Sequence, residues 1–329
     1  MHSAVQAGDQ RASARDGEAR RKRIVTVGAI CSATIFRVGT IPPAPAKVLA
    51  SQTCHLIDGM ALAAACAFAK LGGQGLVWSR VGDDRLGVEA REMMLEEGLD
   101  VSGLHVVPHS VTSHVAIIVD RQGDRIVVPY HDPHADTSAD WLPLATLAGV
   151  DLVHCETRWA HGAEVALRAA RERGILSMID GDTAPLPTLQ RLVPLADLAV
   201  FSDAGLLAYA QCERIDDALV KVAASHHGHV GASCGADGYR WYEDGRVHHV
   251  PAPQVDAVDT LGAGDVFHGA FGLAILEGRS VREAAQFACA AASLKCTRFG
   301  GRLGCPLRPE VEALAAQTYG RATATAGRG

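Results

Sequence analysis

The segment Asp256-Ala257-Val258-Asp259-Thr260-Leu261-Gly262-Ala263-Gly264-Asp265 places two glycines one residue apart, followed at once by a carboxylate, where a loop runs into a helical pattern. Glycines at such a junction leave backbone N–H groups free to face an anion, and the helix N-terminus adds positive potential there. Asp265 then stands where it could take a proton from a hydroxyl that attacks a phosphoryl group. A carboxylate beside a phosphate cradle repels the phosphate, so its presence asks for a chemical role. A plain glycine turn with Asp265 capping the helix is the alternative that spacing leaves open. The sequence G-x-x-x-x-G-K-[ST] is absent, so the cradle is not a P-loop.

Two further segments follow predicted strands. Ser233-Cys234-Gly235-Ala236-Asp237-Gly238 is a glycine-rich turn, and Asp180-Gly181-Asp182 offers two carboxylates or a simple Asx turn. Residues of this kind matter most in a sheet of parallel strands, where ligands sit beyond the carboxyl ends.

The pattern around them predicts such a sheet. A buried first strand runs from Arg23 to Gly28, and a buried helix from Gly59 to Leu71 stops at Gly72-Gly73. Strand 75–81 and helix 87–97 follow. Later strands are predicted at 151–155, 175–180, 198–201 and 229–233, separated by helices at 162–173, 188–196 and 215–225. Helices at 264–277, 281–296 and 309–319 close the chain. This alternation implies right-handed crossovers and a mostly parallel sheet covered on both faces. Segments 113–120 and 125–130 flank Gln122-Gly123-Asp124 and predict an antiparallel hairpin, a small lid or side sheet. Segments 239–242 and 246–250 predict a second hairpin.

The 329 residues fit one α/β core with an appended lobe, and 48% hydrophobic residues suffice for it. A net charge of -6 argues against a nucleic-acid partner. Nine cysteines, odd in number and without a C-x-x-C pair, fit free thiols in a cytoplasmic protein rather than disulfides or zinc. His226, His227 and His229, or His248 and His249, read as loop histidines ahead of metal ligands. Residues 1–22 lack an apolar core and read as a disordered tail rather than a signal peptide. No apolar stretch is long enough to span a membrane.

Residues 259–270 resemble, almost position for position, the C-terminal signature of the PfkB (ribokinase-like) carbohydrate kinases. The resemblance extends from Lys22 to about Leu314, and Arg80-Val81-Gly82-Asp83-Asp84-Arg85-Leu86-Gly87 resembles another family segment. It implies a three-layer α/β/α kinase domain over 23–319, a β lid near 36–56 and 108–132, and a flexible end at 320–329. It further implies ATP, Mg²⁺ carried in with the nucleotide, Asp265 as base, and the amides of Gly262, Ala263 and Gly264 as anion hole. Ser233, Gly235 and Gly238 would face the nucleotide phosphates. Asp259, Thr260 and Lys295 would flank the nucleotide, with Lys295–Gly301 near a K⁺ site that some members carry.

Among family members the chain is most similar to those phosphorylating 6-deoxy-6-sulfofructose, and to ketohexokinase-like ones, through Thr157-Arg158-Trp159, His161-Gly162-Ala163 and Leu294–Arg302. That similarity implies Arg158 and Lys47 as ligands for an anionic substrate end. For Lys47 a solvated surface charge is the alternative. Three departures fall at the sugar pocket. Ala33 stands where an Asp is usual, Asp58 replaces the first glycine of the pair ending at Gly59, and Pro129 replaces a lid Asn. Asp58 is a candidate to take over hydroxyl binding. Ser202-Asp203-Ala204-Gly205 replaces the usual Asn and Glu, leaving Asp182 and Asp203 as metal candidates. The expected function is an ATP-dependent sugar kinase, with a nucleotide- or sugar-binding pseudokinase sensor as the alternative and a nucleoside kinase disfavoured by 5% aromatic residues. The exposed lid edge predicts a homodimer through the lid.

Overall fold

The computed structural model describes residues 20–133 and 135–320. In chain order the elements are β1 Arg23–Val27, β2 Cys31–Arg37, β3 Gln52–Asp58, α1 Met60–Lys70, β4 Gln74–Gly82, α2 Arg85–Glu96, β5 Leu104–Val107, β6 His114–Val119 and β7 Arg125–Tyr130. Then follow β8 Leu152–Cys155, α3 Ala160–Glu172, β9 Leu176–Gly181, α4 Leu186–Leu192, β10 Leu198–Ser202, α5 Asp203–Ala210, α6 Ile215–Ala223 and β11 His229–Ser233. The hairpin β12 Tyr239–Glu243 and β13 Arg246–Val250 precedes α7 Ala263–Leu276, α8 Val281–Cys296 and α9 Arg308–Tyr319.

Nine strands form the main sheet in the order β13-β12-β11-β10-β9-β8-β1-β4-β5. All neighbours are parallel except the β12–β13 hairpin and its junction with β11. From β1 the chain first builds outward through β4 to β5, then returns to build the other way from β8. The switch between β1 and β8 opens a crevice beyond their carboxyl ends, the place where such sheets bind ligands.

Helices cover both faces. Residues of α3, α4, α5 and α6 share one apolar cluster with Val25, Val153 and Phe201. The other face packs α1, α7, α8 and α9 against Ile24, Leu152 and Val200. The Ala-rich α1 suits this position because small side chains let it lie close to β4 and α7. Gly59 before it has φ +129, and a Cβ there would meet Ala29 O at 2.3 Å. In α8, Ser280 and Glu283 form a capping box. In α2, Asp84 caps Gly87 N–H and also accepts from Thr112 N–H and Oγ, so one carboxylate ties the helix start to the lid stem.

The smaller sheet has the order β3-β2-β6-β7 and its own core of Ala33, Ile35, Leu56, Ile117 and Val119. Four elements have no counterpart among the predicted strands and helices. Strands β2 and β3 were not predicted one by one, although the resemblance put a β lid near 36–56; they pair with each other across a Pro-rich loop, and β2 pairs with β6 on its other side. Helix α5 occupies a stretch for which no element was predicted, started by Ser202 Oγ accepting from Gly205 N–H at 3.0 Å. Strand β5 was also missed, being a short edge partner of β4. The predicted tails lie mostly outside the described residues. Residues 20–22, assigned to the tail, pack on the sheet instead: Arg20 donates to Asp151 at 2.6 Å and Lys22 O accepts from Gln74 N–H. No helix is long and apolar enough to cross a membrane among the described residues.

Candidate active site

The segment joining β13 to α7 places Gly262 at the helix N-cap with φ +76, so the chain turns sharply before Ala263 begins the helix. The turn separates two clefts. Cleft one, of about 420 Å³, is lined by Ser233, Gly235, Gly238, Thr260, Ala263 and Gly264, among others. Cleft two, of about 460 Å³, lies under the small sheet and is lined by Asp58, Gly59, Arg158, Asp182, Gly262 and Asp265, among others. Arg125, at the start of β7, lines both.

The anion cradle is partly free. Ala263 N–H already donates to Thr260 O over a long 3.3 Å, whereas the amides of Gly262 and Gly264 have no such partner among the described residues. A Cβ on Gly264 would meet nothing within 4 Å, so the turn opens into space rather than into protein. That space suits a phosphate group.

Asp265 is surrounded by other acids. Burial, then the charges of Asp180, Asp58, Glu156 and Asp182, hold its pKa well above the ordinary carboxylate value. Beneath it, His268 Nδ1 lies 2.8 Å from Gly264 O and 3.6 Å from Asp180, and both side chains are buried. Glu156 follows β8 at the crevice and accepts from Ala29 N–H and Arg158 N–H. Burial pushes it up to about 7, against the pull of those amides. Asp58 is likewise pushed up to about 6 by burial, opposed by Arg302.

The sequence candidates divide. Asp58, Gly59, Arg158, Asp182 and Asp265 meet in the second cleft, and Ser233, Gly235, Gly238, Thr260, Ala263 and Gly264 in the first. Gly238 with φ +94 and Gly235 with φ +54 shape the turn after β11.

Others are placed differently. Lys47 lines neither cleft; it sits exposed on the loop between β2 and β3. Arg158 donates to Asp182 Oδ2 and Thr183 O, both at 2.8 Å, so its fork is largely spent on the protein. Asp182 is engaged in turn by Arg158 and Ser202. Asp203 is exposed at the start of α5 and accepts from Ala204 N–H. No group of three His, Cys, Asp or Glu side chains is placed to hold a metal among the described residues. Asp259 and Lys295 line neither cleft: they form a buried pair with Nζ 3.4 Å from Oδ2. Asp259 accepts from the amides of Leu261, Gly300 and Gly301, which ties the loop before the cradle to the turn after α8.

Residues that escaped the sequence reading include Arg125, His114 and His131, which line the clefts, and the buried Glu156. His114 and His131 look like ordinary polar lid residues until β6 pairs with β7 and turns them to the cleft. Arg125 carried one usable signal, a basic residue opening a lid strand with no acid at its pairing position, Val119. Glu156 directly follows a predicted strand end, where ligand-side residues are expected.

Comparison with known proteins bears on this geometry. Ribokinase of Haemophilus influenzae is 27% identical over 301 residues, covering 88% of this chain and 97% of the relative. A solved structure from Agrobacterium tumefaciens, provisionally called a ribokinase, is 37% identical with TM-score 0.87, covering 90% of this chain and 98% of that one. Arabidopsis thaliana ribokinase, solved with ribose and ATP, is 22% identical with TM-score 0.76 over 90% of this chain and 99% of its own, and shares the fold. The family model described as pfkB family carbohydrate kinase matches residues 21–308, so this chain belongs to the pfkB family of carbohydrate kinases.

Proposed function

We propose that the protein is an ATP-dependent sugar kinase, with nucleotide in the first cleft and the sugar in the second. The supporting observation is that one turn, Gly262–Gly264, forms the wall between the clefts, with Gly264 facing one side and Asp265 the other. A phosphoryl group carried by the nucleotide would reach the acceptor across that wall. The Arabidopsis relative solved with ribose and ATP and the sugar kinases among the relatives support the same pairing.

In this reading the acceptor hydroxyl lies against Asp265. Its proton passes to the carboxylate as its oxygen bonds to the γ-phosphorus, and the bond from that phosphorus to the ADP oxygen breaks. The Gly262 and Gly264 amides face the phosphoryl oxygens, where a preorganised donor is worth ~3 kcal/mol. Arg125, exposed and lining both clefts, adds positive charge over the transfer path. Mg²⁺ bound to the nucleotide phosphates would offset their charge. The raised pKa of Asp265 makes it a stronger base once a cation and substrate favour its ionised form.

For the acceptor, Asp58 and Asp265 suit the hydroxyls of a neutral pentose or keto-sugar, since carboxylates accept hydrogen bonds from OH groups. An anionic sugar such as 6-deoxy-6-sulfofructose is a second reading, supported by Arg125, His114 and His131 on the same cleft rather than by Lys47. A second copy of the chain would cover the lid edge, where Ile126, Val128 and Tyr130 of β7 are exposed. Sedimentation of the wild type against Val128→Glu tests this, and a monomer in both would end it.

The decisive experiment follows ADP release with ATP and Mg²⁺ over neutral, phosphorylated and sulfonated sugars. Turnover that is lost in Asp265→Asn supports the kinase reading. ATP binding without turnover on any sugar would favour a pseudokinase sensor.

A further inference from the structure

Lys295 lies in the last turn of α8, and its side chain has no exposed surface. A buried ammonium without partners is strongly disfavoured, so its neighbours define what it is for. Nζ donates to the main-chain oxygen of Asp259 at 2.7 Å and lies 3.4 Å from Asp259 Oδ2. That same Oδ2 accepts from Gly300 and Gly301 N–H, each at 3.0 Å, and Oδ1 accepts from Leu261 N–H at 2.9 Å. Cys296 O receives Val258 N–H and Asp259 N–H. Two loops, 258–261 and 300–301, are thus drawn around one positive charge, and Gly262 of the cradle follows directly.

A carbonyl oxygen and a carboxylate converging on a buried point is the donor set of a monovalent cation. Here Nζ already fills the point. A free ion beside it would add a second positive charge in the dry interior, where like charges repel strongly. The residues present therefore do not fit K⁺.

We infer that Lys295 is a tethered replacement for a monovalent cation, holding the loops that shape the cradle, so the protein needs no K⁺. A tethered charge is already in place and does not depend on the salt around the protein. Lys295 is a positioning residue, since it lines neither cleft.

The test uses the full chain in buffer free of alkali cations. KCl replaces tetramethylammonium chloride at a constant ionic strength of about 0.1 M, so that screening is unchanged. Melting temperature, nucleotide affinity and ADP release are read together. The wild type is expected to be flat in all three. Lys295→Met, which keeps the stem and removes the charge, is expected to lose nucleotide affinity by at least about tenfold in the K⁺-free buffer, because it strands the Asp259 carboxylate. KCl should restore it and LiCl should not, a size dependence that a general structural role would not give.

A wild type whose melting or nucleotide binding needs KCl overturns the inference. So does a Lys295→Met protein that binds nucleotide like the wild type in both buffers. If that variant fails to fold, the wild-type titration decides alone. The turnover arm rests on the kinase reading. The melting and nucleotide arms do not, so absence of turnover with any sugar would count against that reading and leave this test standing.

Discussion

The guanidinium of Arg302 lies 3.9 Å from the carboxylate of Asp58, and both side chains are buried. Nε of Arg302 also donates to Ile57 O at 2.7 Å, and NH1 to Glu97 at 2.6 Å. One planar fork therefore joins the turn after α8, the end of β3 and the end of α2, which brings lid and core together beside the acceptor cleft. Asp58 reaches this position because residue 301 is glycine: a Cβ there would lie 2.9 Å from Asp58 Oδ2.

Burial of Asp58, against the pull of the fork, makes stability depend on pH. Its folded pKa of about 6 lies above the ordinary 3.8, so the folded state binds the proton more tightly than the unfolded one. Stability from this group is present at low pH and is lost as pH rises through 6. Burial produces the rise, Arg302, the Gly59 amide and Lys295 oppose it, and Asp259 adds to it. Asp58→Asn removes the titration, so the wild type should lose on the order of 2–3 kcal/mol relative to the variant between pH 4 and 7. Urea unfolding of both proteins across that range checks it, and parallel curves would refute it.

Removing the fork itself should cost more. Arg302→Met strands Asp58 and Glu97 beside an apolar side chain, and losing one partner of a buried pair costs about 3–5 kcal/mol. Arg302→Lys should recover little, because a point charge cannot reach Ile57 O and Glu97 together. Chemical denaturation of the two variants is the measurement.

Asp265→Asn should separate activity from stability. As base, its loss lowers kcat by about 10²–10⁴-fold with nucleotide affinity kept. Burial, and after it four neighbouring acids, raise the pKa of the wild-type carboxylate, so its ionised form costs stability as pH rises. The variant should therefore melt higher than the wild type at pH 8, with the gap closing toward acid pH. A variant that is inactive and also less stable at pH 8 would contradict this account.

Arg125 is exposed, and its strand partner Val119 offers it no ion pair. Arg125→Gln should keep the melting temperature while lowering kcat by about 10²-fold, the scale for loss of a charge aimed at the transition state. Lys47→Ala lies outside both clefts and should leave kcat and KM unchanged. Steady-state kinetics on the active sugar reads both.

Gly262→Ala places an L-residue at φ +76, with its Cβ 3.4 Å from Arg302 N. The strain of about 1–2 kcal/mol should turn the amides of the cradle. Reduced kcat with near-normal sugar binding, followed by isothermal calorimetry, is the expected pattern.

Local rules made much of the architecture legible in the amino-acid sequence. The alternation of β-branched runs with helical patterns is a period signal, and it yielded the parallel sheet, both hairpins and the three closing helices within a few residues. The Gly262–Asp265 turn was legible because glycine spacing and a following carboxylate are chemically specific over a handful of positions. Strands β2 and β3 were not predicted one by one, because a Pro-rich loop hides their alternation and β2's second partner, β6, lies far along the chain. Which charges are free is likewise a tertiary matter. Arg158 looked like an open fork until Asp182 and Thr183 claimed it, and Lys295 looked like a nucleotide contact until burial placed it against Asp259. Sequence spacing sets which residue types can meet, but a charge keeps its freedom only if folding brings no partner within hydrogen-bond reach, and that is decided between elements far apart in the chain.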